Sequence, residues 1–516
     1  MRRCISLLIA LLAPAALAAP DVDRLYIEHC AACHGTDRLG GLGPALLPEN
    51  LSRLRPAHAE SVIAKGRPAT QMIGFSDKLS AEDIAALAKL IYQPPPVAPV
   101  WNLAEIEASR IIHAAADPAA KPVHGADPLN LFVVVESGDH HVTILDGDRF
   151  EPLHRFPSRF ALHGGPKFTP DGRYVYFGSR DGWISKYDLH TLTLLSEIRA
   201  GINTRNIALS SDGRFVAVAN YLPHSLVLLD AADLKPLRLI EARDIRGRQS
   251  SRVSAVYQAP NRKSFIVALK DIPEIWEIAT DEAAGPVYTG LVHSHEKGMT
   301  EALAASAGLF AHRRIAVETL LDDFMFDPDY RHLLGSSRDG AGATVVNLNV
   351  GRPIASVALD GLPHLGSGIS FLREGRRLIA TPHLNRAQIS VIDTADWSVF
   401  ARIPTGGPGF FMRSHENTPY AWTDAMLGPG RDTMTVIDKR SLAVAGRITP
   451  TPGKTAAHVE FDRHGRHALV SVWEMDGALV VYDADALREV KRLPMVKPSG
   501  KYNVYNKITF SEGTSH

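Results

Sequence analysis

Short apolar runs that end in a single polar residue recur along most of the chain. They read Thr143-Ile144-Leu145-Asp146, Ser185-Lys186-Tyr187-Asp188, Val227-Leu228-Leu229-Asp230, Glu274-Ile275-Trp276-Glu277, Val345-Val346-Asn347-Leu348, Ser390-Val391-Ile392-Asp393, Thr435-Val436-Ile437-Asp438 and Val480-Val481-Tyr482-Asp483. Runs rich in β-branched and aromatic residues predict strands. Asp146, Asp188 and Asp230 are evenly spaced, as are Asp393, Asp438 and Asp483, and a wider gap follows the fourth copy. Polar turns separate further apolar runs: Asp171-Gly172-Arg173, Asp212-Gly213-Arg214, Asp327-Pro328-Asp329, Glu374-Gly375-Arg376 and Asp462-Arg463-His464-Gly465-Arg466. Asp-Gly between such runs is a hairpin signal. Repeating units of about four short strands each, eight in number, predict a mainly-β, eight-bladed β-propeller. The gap at 287–317 holds Ala302-Leu303-Ala304-Ala305-Ser306-Ala307, helical in composition, and is read as a solvated loop or a flap over one face.

The N-terminal part follows a different period. Residues 22–29 and 79–91 carry the 3.6-residue apolar spacing of helices, the second with Ser80 as N-cap and Glu82 in its first turn. Gln93-Pro94-Pro95-Pro96-Val97-Ala98-Pro99 then breaks all periodicity and predicts a stiff linker. Before the first helix, Met1-Arg2-Arg3 leads into an apolar run and the small residues Ala16-Leu17-Ala18, the pattern of a secretory leader. The predicted organisation is therefore a leader at 1–18, an all-α domain at 19–93, a linker at 94–100 and the propeller at 101–516. No other long apolar run is present, so no membrane span is expected in the mature chain, and export is expected.

Charge adds one exclusion. The 56 basic and 56 acidic residues balance, which speaks against a nucleic-acid partner. Cysteine usage adds the chemistry. Beyond the leader only Cys30 and Cys33 remain, within Cys30-Ala31-Ala32-Cys33-His34. That is the C-x-x-C-H pattern of covalent c-type heme attachment: two thiols meet two vinyl groups, and the adjacent His34 reaches the iron. Met72, in the loop Gln71-Met72-Ile73-Gly74-Phe75 before the second predicted helix, is the expected sixth ligand, with His29 and His58 as rivals. The domain is similar to class I cytochromes c.

In a propeller, functional side chains collect where the innermost strand of each blade begins near the axis. Read blade by blade, that phase holds His163, Arg205, Arg252, Asp322 or Asp323, His364, Arg413 and His458. Histidines ligate iron and arginines hold carboxylates. Together they predict a pocket for a metal-bearing polycarboxylate macrocycle. Gly164-Gly165 and Gly366-Ser367-Gly368 follow two of the histidines and would let a flat ring approach the backbone.

A c-type domain fused to a histidine-lined, eight-bladed propeller resembles the heme d1 proteins of denitrification, relatives of the cytochrome cd1 nitrite reductases. The resemblance covers essentially the whole chain after the leader. It rests on the heme-attachment motif and on Leu162-His163-Gly164-Gly165-Pro166, Pro363-His364-Leu365-Gly366-Ser367-Gly368, Ala457-His458-Val459-Glu460-Phe461 and Gly500-Lys501-Tyr502-Asn503-Val504-Tyr505-Asn506. It implies that His163 is the proximal ligand to the heme d1 iron, His364 the distal one, and that Arg205, Arg252 and Arg413 hold carboxylates. In the reductases two further histidines protonate nitrite. The matching stretches here, Ala259-Pro260-Asn261 and Leu321-Asp322-Asp323, contain none. The resemblance therefore favours the dehydrogenase type, which converts a propionate of dihydro-heme d1 to the acrylate of heme d1, over nitrite reduction or simple heme d1 carriage. His458 and Tyr502 are the implied candidates for hydrogen removal. Tyrosine would need a lowered pKa to act as a base, and the sequence does not choose between the two. The implied partners are the tetrapyrrole substrate, an external electron acceptor and a cytochrome cd1 nitrite reductase receiving the product, in the periplasm.

Overall fold

The computed structural model describes residues 20–41, 43–52, 54–67, 72–289, 304–336, 342–510 and 512–514; the expected leader lies outside them. The chain forms two compact units, residues 1–97 and 98–516.

The first unit is helical: α1 (Val22–His29), α2 (Ala31–His34), α3 (Pro56–Lys65) and α4 (Ala81–Ile91). Helices α1, α3 and α4 each bury one apolar stripe. Leu25, Tyr26, Ala59, Ile63, Phe75, Leu79, Ile84, Leu87 and Ile91 meet in one core. Ser80 caps α4 with Glu82 in the first turn, as expected, and Asp83 closes the capping box.

The second unit is an eight-bladed propeller of four-stranded antiparallel sheets. The ring closes where the C-terminal strand Pro498–Asn503 pairs with Leu131–Glu136 to become the innermost strand of the first blade. Side chains from neighbouring blades fill each gap between sheets: Ala217, Leu226 and Leu228 pack against Val256, Phe265 and Val267, for example. Full burial of each such aliphatic side chain contributes roughly 1.5–3 kcal/mol.

The repeated aspartate has a local cause. It ends the third strand of its blade, and its carboxylate accepts N–H bonds from the turn that leads to the fourth. Asp146 takes those of Asp148 and Arg149, Asp230 that of Ala232, and Asp483 those of Asp485 and Ala486. Four residues on, the chain turns through a left-handed residue, Phe150, Leu192, Leu234, Trp397, Leu442 or Leu487. In the first blade Phe150 N–H returns to the Asp146 carbonyl at 2.8 Å.

Three features depart from expectation. The described parts of the insertion form strands: Val287–Thr289 pairs with Ala304–Ser306, and His312–Ala316 is the outer strand of the fourth blade, while 290–303 lie outside the described residues. Alanine-rich composition favours helix only weakly, and strand pairing overrides it. The segment after the linker is also structured. Helix α5 (Leu103–Ala108) buries Ile106, and Ile111–Ile112 adds a fifth strand to the second blade. A last helix, α6 (Val504–Thr509), follows the closing strand. Among the described residues no helix is long and apolar enough to cross a membrane.

Candidate functional site

In the helical unit, α1 delivers the heme-attachment motif at its C-terminal end. Cys30 N–H bonds the Tyr26 carbonyl, and His34 N–H bonds the Cys30 carbonyl. Both thiols are free rather than joined as a disulfide. Burial and the neighbouring Cys33 push the Cys30 thiol up to about 11. His34 donates Nδ1–H to the Pro44 carbonyl at 2.8 Å, which leaves Nε2 as a lone-pair ligand. A Cβ on Gly43 would lie 2.7 Å from His34 Cε1, so glycine lets the ring sit where it does. Arg38 ties this loop to the end of α4 through the carbonyls of Leu90 (2.7 Å) and Gln93 (3.0 Å). Met72 packs against the same core. Of its rivals, His58 is exposed on α3, and His29 packs on Phe75 and faces Glu28 at 3.7 Å. The residues present fit a covalent heme c.

In the propeller, the shared phase brings side chains from six blades toward the axis. His163 precedes the inner strand Lys167–Phe168. Its Nδ1–H donates to the Arg205 carbonyl at 2.7 Å, and its Nε2 accepts from Arg180 at 2.9 Å and from Arg205 at 3.3 Å. His364 caps the turn Leu365–Ser367. Its Nδ1–H donates to the Phe410 carbonyl at 2.8 Å, and Nε2 stands 3.9 Å from Asp323. His34, His163 and His364 thus share one arrangement, a backbone carbonyl on Nδ1 that fixes the tautomer and leaves the lone pair on Nε2, which at His163 is met by Arg180 and Arg205.

Glycines make room beside two of these histidines. Gly165 has φ 72°, and a Cβ there would come 3.1 Å from the Tyr502 ring. A Cβ on Gly366 would meet the Asp323 carboxylate at 2.4 Å and the Tyr257 hydroxyl at 2.9 Å. Asp323 instead accepts Tyr257 O–H and Gly366 N–H, both at 3.0 Å. Asp322, the other candidate at this phase, pairs with Lys270.

His458 is the most constrained of the predicted residues. It lies in the inner strand Ala456–Phe461, 1 % exposed, with φ 49°. Neither ring nitrogen has a hydrogen-bond partner. Its ring meets Tyr502 at 5.2 Å and Phe411 at 4.7 Å. Burial, then the charges of Lys501, Arg413 and Lys507, hold it well below the usual imidazole range. A buried imidazole with two orphaned nitrogens is costly unless something else meets it. Tyr502 goes the other way: burial raises its phenol to about 12. The lowered pKa that a tyrosine base requires is therefore not supplied.

The arginines divide. Arg205 lies beside His163. Arg413 is buried, with Nε unpartnered and 3.9 Å from Glu460, and burial lowers its pKa. Arg252 instead makes a bidentate pair with Asp271 at 2.5 and 2.9 Å and is 40 % exposed. Its guanidinium is already committed, contrary to its expected place among the macrocycle's anchors.

Several neighbours escaped the sequence reading. Arg180 reaches His163 from a turn between strands. Asp424 gathers the N–H groups of Phe410, Phe411 and His458, and burial raises it to about 6. Lys167, shifted by burial and by Arg413 to about 8, lies on the same side as Lys507 of α6. Only Lys167, two residues from Gly165, carried a positional hint. Two imidazoles, His163 and His364, whose Nδ1 is held by a backbone carbonyl and whose lone pair lies on Nε2, with Arg180 and Arg205 beside the first, are a donor set that fits a metal-bearing polycarboxylate tetrapyrrole.

Comparison with known proteins gives the same picture. Residues 126–295 and 305–507 match the family described as Cytochrome D1 heme domain, and residues 18–91 match the family described as Cytochrome C oxidase, cbb3-type, subunit III. A dihydro-heme d1 dehydrogenase of Pseudomonas aeruginosa is 56% identical over 517 residues, covering 100% of both chains. The solved structure of dihydro-heme d1 dehydrogenase NirN in complex with DHE is 57% identical, covers 94% of this chain and 99% of that chain, and superposes with a TM-score of 0.87. A nitrite reductase of Stutzerimonas stutzeri is 24% identical over 562 residues, with 96% of each chain covered.

Proposed function

This chain belongs to the Cytochrome D1 heme domain family, and on that footing we propose that it is a dihydro-heme d1 dehydrogenase. The observation that carries the reading is the buried, unpartnered imidazole of His458 beside Tyr502 on an axis that also presents His163 and His364. The substrate's –CH2–CH2–COO⁻ becomes –CH=CH–COO⁻ with loss of two protons and two electrons. His163 and His364 would hold the tetrapyrrole iron, and Arg205 and Arg413 its carboxylates. His458, kept neutral by burial and nearby cations, accepts one of the two protons from the propionate, and the other leaves to water. Tyr502 stays protonated at neutral pH and orients the carboxylate as a hydrogen-bond donor. Cys30 and Cys33 would hold heme c, with His34 and Met72 as its iron ligands; the bound group would pass the two electrons on to an external acceptor one at a time.

Nitrite reduction is less well supported. Where the reductase's proton-donating histidines would fall, this chain has Ala259 at the start of a short 3-10 turn and Asp323 bound to Tyr257 and Gly366. The leader at 1–18 and the family context support export to the periplasm, with product passed to a cytochrome cd1 nitrite reductase. The reading is tested by adding dihydro-heme d1 anaerobically to the oxidised, heme c-loaded protein. Reduction of the c heme without other reductant supports it. Absence of that reduction, with nitric oxide formed from nitrite once heme d1 and reductant are present, favours the reductase.

A further inference from the structure

Lys501 lies in the strand that closes the ring, and its side chain is 0 % exposed. A lysine is almost never buried without partners. Its Nζ donates to Ser471 Oγ at 2.7 Å, to the Ala457 carbonyl at 3.3 Å and to the His458 carbonyl, all in the adjacent blade. Two carbonyls and a hydroxyl match the three donors of an ammonium.

Those contacts fall on a β-bulge. Pairing of the two strands steps from Ala457↔Ser471 to Val459↔Val470, so His458 is the extra residue. Its φ of 49° is one that side chains rarely adopt. Such a conformation persists only where its surroundings hold it. Asp424 accepts the His458 N–H at 3.2 Å, and Lys501 takes the His458 carbonyl. Both peptide groups of His458 are clamped while its imidazole is free.

Resting on the dehydrogenase reading, we propose that Lys501 is a positioning residue for His458: its ammonium clamps the bulge that turns the imidazole toward Tyr502 and opposes a positive charge on that imidazole. The groups facing His458 come from several elements. Arg413 comes from Met412–Ser414, Lys507 from α6, Tyr502 and Lys501 from the closing strand, Asp424 from the turn after Tyr420–Thr423, and Glu460 from His458's own strand. Three of the four ionisable groups that its neighbours present by side chain from other elements are basic, although burial pushes two of them, Lys501 and Lys507, well below the usual amine range. Burial acts in the same direction, toward the neutral base.

The test compares wild type, Lys501→Met and His458→Ala as full-length, heme c-loaded proteins. Three quantities are read: affinity for dihydro-heme d1 by absorbance titration, kcat as a function of pH, and the His458 imidazole titration by NMR in histidine-labelled protein. For Lys501→Met, binding holds within about threefold while kcat falls about tenfold. The acid limb and the imidazole titration both move up by about one pH unit. An unmoved imidazole titration, or losses in kcat and affinity of equal size, overturns the proposal. Should Lys501→Met fail to accumulate, Ser471→Ala removes one of the three acceptors, and the same shift is expected at smaller size; no shift there also overturns it. His458→Ala separates the two ideas. If it retains turnover, the proposed base is wrong whatever Lys501 does; if it is inactive while Lys501→Met matches wild type, only the Lys501 role falls.

Discussion

The imidazole of His458 stands edge-on to the phenol of Tyr502, ring centroids 5.2 Å apart and planes 67° apart. The two are shifted in opposite senses, the imidazole toward its neutral base and the phenol toward its neutral acid. At neutral pH one member of the pair is ready to accept a proton and the other to donate a hydrogen bond.

Unequal losses follow for the two residues. His458→Ala should lower kcat by about 10²–10⁴-fold, the usual scale for a missing general base. Tyr502→Phe, which keeps the ring and removes the hydroxyl, should cost about tenfold. Tetrapyrrole affinity, read by absorbance titration, should change little in His458→Ala. Because the folded pKa of His458 lies below 6.5, turnover should persist below pH 6.5 and fall only as the pH passes through the lowered value. A kcat–pH profile with its acid limb at or above 6.5 would contradict this.

Stability should also depend on pH, through histidines buried neutral. His383 is 0 % exposed, donates or accepts at Ser390 Oγ at 2.9 Å, and is lowered by burial to about 4. The unfolded chain protonates it near 6.5, so its contribution is present above that pH and is lost as pH falls from about 6.5 toward 4. Full loss amounts to about 3 kcal/mol. Melting temperature should decline over that interval, and His383→Asn should flatten the decline.

The arginines should separate in binding. Arg205→Ala should weaken dihydro-heme d1 binding by about tenfold or more, because it removes a cation beside His163. Arg252→Ala should leave binding within about twofold, since Asp271 already holds that guanidinium and exposed pairs are worth little. Absorbance titrations of both variants check this.

Loss of the c heme should leave the propeller intact. Cys30→Ala with Cys33→Ala removes the attachment sites from a unit with its own core. Substrate binding and propeller melting should be retained while multiple turnover stops. Met72→His should keep the heme and lower its reduction potential, since a thioether ligand favours the reduced iron; redox titration reads the shift.

The propeller was legible because its repeat has a physical cause that is local. Each recurring aspartate caps the turn that follows it, so the residue and the turn cannot be separated in the sequence. The strand at Ala304–Ser306 was not legible, because its partner lies beyond a long insertion and its composition favours helix. At the site, the phase of the inner strands pointed to His163, Arg205, His364, Arg413 and His458. It could not show that Arg252 turns to Asp271, since that choice depends on a residue in the turn after the next strand. Asp424 and Arg180 were invisible for a related reason, and Lys501, though within a stretch that carried the resemblance, had no role assigned to it. Their contacts cross between blades or sit in turns, and nothing in their spacing marks them. The pKa of Tyr502 depends on burial at the ring closure and so could only be posed as a condition.

The central claim is that this chain removes two hydrogens from a bound tetrapyrrole through His458. The most direct measurement follows the mass of dihydro-heme d1 incubated with the heme c-loaded protein and an electron acceptor, for wild type and His458→Ala. The account predicts loss of two hydrogens with wild type and unchanged mass, with binding retained, for His458→Ala. Tight binding by wild type with no change in mass would contradict it and leave a protein that carries the tetrapyrrole without transforming it.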